Sequence, residues 1–301
     1  MTNKLIVYTG IPGSGKSSHA KKLAILEDAV VIESDYIRET MFDNKQGKEV
    51  NTKLFEYIHE IILERLEDGN SVILDATNLN YKYRMSLLQK VKNLDVWKVA
   101  HVMATDFETC HFRNGNRTRV VPFETLRRMW MSFTMPQYYE GFDEIALSYS
   151  YDKSDYTLQG LERAMTGFNQ DNPHHTRDLG EHTAEVVHAL WGTGNDAIRY
   201  AGLFHDVGKL YTKSFTDSKG NPSDTAHYFS HENLSAYEAI FYLLGMGWKT
   251  EEIVYTCGLI QNHMRIKGCT TEKAKKKLIG LVGEQMYADL LLLNEADNDG
   301  K

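Results

Sequence analysis

Gly10-Ile11-Pro12-Gly13-Ser14-Gly15-Lys16-Ser17 is the stretch that decides the fold. It follows a short apolar run, Lys4-Leu5-Ile6-Val7-Tyr8, and opens a helical pattern. The spacing is G-x-x-x-x-G-K-[ST]. Its glycines let the backbone curl so that N–H groups point at phosphate oxygens. The helix that follows adds the positive end of its dipole. Gly13, Ser14, Gly15, Lys16, Ser17 and Ser18 are the expected cofactor-binding residues. Lys16 reaches the β- and γ-phosphates of ATP or another nucleoside triphosphate, and the Ser17 hydroxyl ligates Mg²⁺. From average composition, a chance match in a chain of 301 residues is on the order of 1%. The plain alternative is a glycine-rich turn beside an unrelated lysine; the preceding strand and following helix argue against it.

Working outward, Val30–Ser34, Ser71–Asp75 and Val96–Met103 read as further buried strands. Helical patterns lie between them, as in Asn51–Glu67, where Leu54, Ile58, Ile61, Ile62 and Leu66 share one face. Strands alternating with helices imply an α/β domain, a parallel sheet with flanking helices, over residues 1–152. Residues 153–171 are polar and read as a linker. After about Asn172 the strand signals stop, and residues 172–301 read as an all-α domain. Its expected helices are Leu179–Trp191, Asp196–Phe204, His231–Leu244, Glu251–Gln261 and Val282–Ala296.

Composition narrows the class. Hydrophobic residues at 42%, charged residues at 25% and only 5 prolines exclude disordered and collagen-like chains. No apolar run approaches the roughly 20 residues of a membrane span, and no signal peptide is expected. Three scattered cysteines fit a reducing cytoplasm better than a disulfide framework. A net charge of -7 predicts that any nucleic-acid contact is local, at an end or in a groove.

Behind the phosphate loop, three features bear on the reaction. Asp35 follows the second strand, where open α/β sheets place ligands, and could take the proton of an attacking hydroxyl; alternatively it caps the next helix. Asp75 ends the third strand and could hold Mg²⁺ through water or sit beside the acceptor. Phe112–Arg128 carries Arg113, Arg117, Arg119, Arg127 and Arg128, which suits a lid over a triphosphate. Arg127 and Arg128 also fit a solvated helix face, whereas Arg113 and Arg117 flank Asn114-Gly115-Asn116, which reads as a loop.

Gly10–Ser17, Ser34-Asp35-Tyr36-Ile37-Arg38, Asp75-Ala76-Thr77-Asn78-Leu79-Asn80, Arg113-Asn114-x-x-Arg117 and Val121-Pro122 together resemble the kinase domain of phage polynucleotide kinases. The motifs fall in family order over nearly all of residues 1–150. The resemblance implies that Asp35 is the general base for a polynucleotide 5′-OH and that Arg38 contacts the acceptor phosphate. It implies that Arg113 and Arg117 bind the donor phosphates and that Asp75 is an active-site carboxylate. It also implies a phage-encoded protein or one of a bacterial host cytoplasm.

The twelve histidines concentrate after residue 172. His205-Asp206 ends the apolar run Ala201–Phe204, with Glu181-His182-Thr183 upstream and Ser230-His231-Glu232, Asn262-His263-Met264 and Asn294-Glu295-Ala296-Asp297 downstream. Imidazoles and carboxylates from separate helices can converge inside a bundle on a metal. Without cysteine, the set favours Mn²⁺, Mg²⁺, Fe, Ni²⁺ or Zn²⁺. His59, His101, His111 and His188 are expected to be structural. The ordered set, with Asn172-Pro173-His174-His175 before it, resembles the HD phosphohydrolase superfamily. That resemblance implies one or two divalent metals. The first would be held by His182, His205, Asp206 and Asp297, the second by Asp206, His231 and His263, with Lys209 steadying a phosphate oxygen. Asp299 competes with Asp297 as the last ligand.

The two resemblances imply a bifunctional end-healing enzyme. ATP would phosphorylate 5′-OH ends of RNA or DNA, and the helical domain would hydrolyse 2′,3′-cyclic phosphate or 2′- or 3′-phosphate ends, preparing them for a nucleic-acid ligase downstream. The alternative is a small-molecule or nucleoside kinase joined to an HD nucleotidase. Oligomeric state is left open.

Overall fold

The computed structural model describes residues 3–173 and 176–300. It divides into two units. The first runs to Met129 and resumes at Pro136–Ser150; the second comprises Trp130–Met135 and the chain from Tyr151 onward.

The first unit is built on five parallel strands: β1 (Lys4–Thr9), β2 (Ala29–Glu33), β3 (Ser71–Asp75), β4 (Trp97–Thr105) and β5 (Glu144–Ser150), in the order β2-β3-β1-β4-β5. Six helices connect them: α1 (Lys16–Glu27), α2 (Ser34–Phe42), α3 (Lys48–Glu67), α4 (Tyr81–Val91), α5 (Phe107–Gly115) and α6 (Phe123–Met131). Leu5, Val7, Val72, Ile73, Leu74, Ala100 and Val102 are buried because the central strands are covered on both faces. Each such Val, Leu or Ile side chain removed from water contributes roughly 1.5–3 kcal/mol. With β1 central, the carboxyl ends of β1, β2 and β3 lie side by side, and these ends carry the phosphate loop, Asp35 and Asp75.

Three readings of this unit change. β5 has no counterpart among the expected strands; its exposed Glu144 and Tyr149 break the apolar run that marks the others. Ser34 starts α2 instead of ending β2, so Asp35 lies in the first turn of a helix. Asn114 and Gly115 continue α5 rather than forming a loop.

The second unit contains α7 (Leu158–Met165), α8 (Leu179–Leu190), α9 (Asp196–Phe204), α10 (Lys209–Thr212), α11 (His231–Gly245), α12 (Thr250–Lys267), α13 (Glu272–Val282) and α14 (Glu284–Asp299). Capping sets several starts. Asp178 and Glu181 make a reciprocal capping box on α8, Asn195 caps α9 and Thr271 caps α13. From Leu234 to Leu243 every residue of α11 is buried, so this helix is the centre of the bundle. The unit is not wholly helical: β6 (Ser214–Thr216) and β7 (Pro222–His227) pair as an antiparallel hairpin. Polar, Ser/Thr-rich strands carry little apolar alternation, which hid them in the sequence. The stretch expected to be a linker contains α7, whose Leu161 and Met165 are buried. Val282 ends α13 instead of starting the last helix. Among the described residues no helix is long and apolar enough to cross a membrane.

Candidate functional sites

The phosphate loop spans the turn between β1 and α1. Gly13 and Gly15 have φ of 87° and 93°, the left-handed region that glycine enters without strain. A Cβ on Gly13 would stand 2.3 Å from the Cys110 carbonyl oxygen, so the loop is also pinched against α5. Ser14 Oγ is buried and finds no hydrogen-bond partner among the described residues, and Gly15 starts α1 with no side-chain cap. The loop therefore offers unsatisfied donors to a phosphate. Lys16 is buried, and its Nζ donates to the Ile11 carbonyl at 3.0 Å. Burial lowers its pKa, opposed by Asp75.

Asp75 is buried at the end of β3 and accepts a hydrogen bond from the Ser17 side chain. Burial raises its pKa, and Ser17 and Lys16 work against that rise. The structure thus brings Lys16, Ser17 and Asp75 together as a hydroxyl–carboxylate pair beside an ammonium, a donor set that suits a hydrated Mg²⁺ on a triphosphate. Asp35 is not the N-cap of α2, a position held by Glu33; its exposed carboxylate lies 3.8 Å from the Arg117 guanidinium. Arg117, expected in a lid, and the candidate base are therefore neighbours. Arg113 donates to Ser150 Oγ at 2.8 Å, and Arg38, buried in α2, donates to the Lys45 carbonyl at 3.1 Å. Ser18 is exposed on the first turn of α1.

One buried pair was not foreseen. The Arg84 guanidinium donates to both Glu140 carboxylate oxygens at 2.8 and 2.7 Å, and also to the carbonyls of Asn78 and Leu79 at 3.0 and 3.2 Å. Glu140 also accepts from the Gln137 N–H. Asn78, at φ 41°, donates to the Tyr8 carbonyl at 2.8 Å, and Gly10 N–H donates to the Thr77 carbonyl. Arg84 therefore fixes the loop after Asp75 against the strand that feeds the phosphate loop. Only the sequence distance of 56 residues between the partners hid it; a lone arginine in an amphipathic helix reads as surface.

The second unit holds the histidine cluster. His182 stands on α8, His205 and Asp206 follow α9, His231 starts α11, His263 lies on α12 and Asp297 on α14, and all six are buried. Gly208 makes this possible: a Cβ there would be 2.1 Å from the His231 carbonyl oxygen, so only glycine lets the turn after His205-Asp206 close onto α11.

Each imidazole is oriented by a backbone carbonyl. The Nδ1 atoms of His182, His205, His231 and His263 lie 3.0, 2.7, 2.7 and 2.6 Å from the carbonyls of Gly300, Gly202, Tyr228 and Ile260. A carbonyl only accepts, so each Nδ1 carries a proton and each Nε2 is left to face the cluster, where it can bind a cation or carry a second proton. These Nε2 atoms meet in pairs, His182 with His205 at 3.2 Å and His231 with His263 at 3.3 Å. Such a contact is satisfied by a proton on one Nε2 or by a cation between the two. Nitrogens about 2.0–2.1 Å from a shared ion at tetrahedral angles stand roughly 3.3–3.4 Å apart. Asp206 joins the pairs: Oδ2 is 3.5 and 3.2 Å from His182 and His205, and Oδ1 is 3.3 and 3.9 Å from His231 and His263. Asp297 Oδ1 is 3.5 and 3.9 Å from His182 and His205. Two groups, His182/His205/Asp206 and Asp206/His231/His263, each bring three ligand atoms within 4.8 Å.

Burial would lower the His182 pKa, but the Asp206 and Asp297 carboxylates lift it to about 9. His263 is held well down by burial and by His231 and His205. Burial opposes the charge on Asp206 and Asp297, yet the surrounding imidazoles and lysines keep both below the usual carboxylate range. The site thus favours added positive charge and has the donor set of a divalent cation site. Lys209 Nζ lies 2.7 Å from Asp206 Oδ2 and 2.7 Å from Gln170 Oε1. Asp299 is exposed, as are His188 and His111, and His59 and His101 belong to the first unit. His174 and His175 lie outside the described residues. Lys267, 2.5 Å from Asp297 Oδ2, was not singled out from the sequence.

A family profile described as AAA domain matches residues 5–136. The chain is 30% identical over 168 residues to the L-seryl-tRNA(Sec) kinase of Methanococcus maripaludis, covering 53% of this chain and 60% of that protein. It therefore spans about three-fifths of the length of this curated relative. Among solved structures, a putative kinase from Chloroflexus aurantiacus is 16% identical, with 49% of this chain and 85% of that chain covered and a TM-score of 0.40. A chain of the Pnkp1/Rnl/Hen1 RNA repair complex is 22% identical, with 44% of each chain covered and a TM-score of 0.37. The N-terminal part of this chain is thus a parallel-sheet α/β domain with a P-loop, matched by an AAA-domain profile, and a helical region follows it.

Proposed function

We propose that this chain heals broken nucleic-acid ends, phosphorylating 5′-OH termini with ATP and hydrolysing phosphate at 2′/3′ termini. The observation that carries the reading is the coexistence, in one chain, of a triphosphate loop with its carboxylates and a buried four-histidine, two-aspartate cluster.

At the first centre, the loop N–H groups and Lys16 hold the β- and γ-phosphates in line. Ser17 and Asp75 would hold Mg²⁺, and the bound metal would supply positive charge beside the phosphoryl oxygens. Asp35 accepts the proton of the attacking 5′-hydroxyl as its oxygen bonds to the γ-phosphorus and ADP leaves. Arg117, now beside Asp35, and Arg113 reach the donor phosphates, and Arg38 holds the acceptor phosphate.

At the second centre, His182, His205, Asp206 and Asp297 would hold one cation and Asp206, His231 and His263 a second. Bound divalent metal lowers the pKa of water and polarises a phosphoryl group. The backbone carbonyls keep every imidazole in the ligating tautomer, Asp206 ties the two sets, and Lys209 steadies a phosphate oxygen. Mn²⁺, Mg²⁺, Ni²⁺, Fe and Zn²⁺ all suit this oxygen and nitrogen donor set. A nucleic-acid ligase would use the resulting ends, and the reading places the protein in the cytoplasm.

The relative's name, a kinase of an aminoacyl-tRNA, supports a second reading, in which the acceptor hydroxyl belongs to a smaller group and the cluster serves as a nucleotidase. One mass-resolved assay separates them: an oligonucleotide with a 5′-OH and a 2′,3′-cyclic phosphate, incubated with ATP and a divalent metal panel, beside nucleoside and seryl-tRNA acceptors. Gain of phosphate at one end and loss at the other is expected. Phosphorylation of nucleoside or seryl-tRNA alone refutes the end-healing reading.

A further inference from the structure

Lys209 and a cation would compete for one carboxylate oxygen. The Lys209 ammonium lies 2.7 Å from Asp206 Oδ2, the same oxygen that stands 3.5 and 3.2 Å from the His182 and His205 ring nitrogens. Lys209 and Asp206 are both buried, so water and salt screen this contact little. A divalent ion on the His182 side would meet an ammonium on its own ligand atom, and like charges that close away from water oppose binding. The ammonium therefore needs a second holder before Asp206 can turn to a cation.

Gln170 has the geometry of that holder. It lies in the stretch that reads as a linker in the sequence, yet it is 1% exposed. Its Oε1 accepts from Lys209 Nζ at 2.7 Å, and its Nε2 donates to the Arg177 carbonyl at 3.4 Å, which fixes the end of the amide that faces the lysine. The Gln170 backbone carbonyl accepts from the Tyr228 hydroxyl at 2.6 Å, and the Tyr228 ring centre lies 5.4 Å from the same ammonium.

The residues on either side are tied down as well. Lys213 donates to the Asn169 carbonyl and pairs with Asp171 at 2.7 Å. The Asp171 carbonyl accepts from the Ala226 N–H at 2.8 Å. Asp171 itself is held at φ 43°, a left-handed conformation that persists only where the surroundings over-determine it. Gln170 is thus a fixed, neutral acceptor aimed at Lys209, and it holds an ammonium without adding a charge of its own.

We propose that Gln170 is a positioning residue of the second centre: it retains the Lys209 ammonium so that Asp206 Oδ2 can be yielded to a cation. This rests on the reading of the cluster as a divalent-metal phosphoesterase centre. Lys209, once off Asp206, stays beside the site where it can meet a phosphate oxygen.

The test is metal affinity without turnover. Nucleotide-free, metal-stripped full-length protein is titrated with Mn²⁺ alone and followed by calorimetry. Gln170→Met, similar in length and without an acceptor oxygen, should weaken Mn²⁺ binding by about 10–100-fold, the usual effect of losing an outer partner in a metal site. Lys209→Met, which removes the competing charge, should bind Mn²⁺ at least as tightly as the wild type. Adding Gln170→Met to Lys209→Met should change nothing further, a non-additivity that a packing role for Gln170 would not produce. Unchanged affinity in Gln170→Met overturns the proposal, and so does an equal loss with and without Lys209. If Gln170→Met does not fold, Gln170→Asn, which draws the acceptor back by one carbon and keeps an amide in place, is held to the same two outcomes. Wild-type protein that takes up no Mn²⁺ refutes the metal reading of the cluster and this proposal with it. Mn²⁺ binding in the expected pattern, without hydrolysis of a cyclic-phosphate oligonucleotide, refutes the end-healing reading and leaves the role of Gln170 standing.

Discussion

Replacing Arg84 by Met should cost the loop after Asp75 far more than a surface charge would. The Arg84 and Glu140 side chains are 0% and 1% exposed, so the change strands a carboxylate away from water. Breaking a buried pair from one side costs about 3–5 kcal/mol. The Asn78 and Leu79 carbonyls also lose a donor, at about 1–3 kcal/mol for each carbonyl left unpaired. The double change Arg84→Met with Glu140→Leu removes the stranded charge and should recover most of the first cost, because hydrophobic replacements of buried pairs are often neutral. Hydrogen exchange on peptides covering β3 and α4, in the intact chain, measures the local opening free energy. The sign with pH is also fixed. Burial raises the Glu140 pKa, with Arg84 the main opposing influence. Without Arg84 the folded carboxyl binds more protons than the unfolded one, so stability falls as pH rises. The gap between variant and wild type should narrow from pH 7 to pH 5. A single change costing less than about 1 kcal/mol, or a double change costing as much as the single, would refute the account of Arg84 as the fastener of this loop.

Lys16→Ala should lower ATP-dependent phosphorylation by on the order of 10² or more, while metal content measured by mass spectrometry stays at the wild-type level. Asp206→Ala, which removes the carboxylate shared by both histidine pairs, should lose bound divalent metal and phosphate hydrolysis, with 5′-phosphorylation retained; loss of both activities in folded protein would contradict two separate centres. Gly208→Ala should lower the thermal midpoint of the helical unit, because its Cβ meets backbone, not a movable side chain, at 2.1 Å. An unchanged melt would show that the turn after Asp206 has room the structure does not indicate.

Much of the chemistry was legible along the chain because it is local. The phosphate loop is eight consecutive residues, and its function follows from glycine backbone freedom and a helix start. β1, β3, α8, α9 and α11 follow from apolar periodicity that can be counted along the sequence. The candidate ligands His182, His205, Asp206, His231, His263 and Asp297 could be named, but their grouping rested on resemblance, since a histidine's neighbours in space leave no mark on its neighbours in sequence.

Tertiary structure decided what depends on distant contacts. The polar β6–β7 hairpin and β5 lack a strong pattern because their faces are not both buried, so sheet pairing, not propensity, makes them strands. The Arg84–Glu140 pair and the Lys267–Asp297 pair join residues 56 and 30 positions apart, and nothing local anticipates them. The sequence by itself therefore settled which groups are available and which backbone turns they require. Packing settled which ring nitrogens face one another, because only the burial of α8, α9, α11, α12 and α14 around one core brings four imidazoles and two carboxylates together.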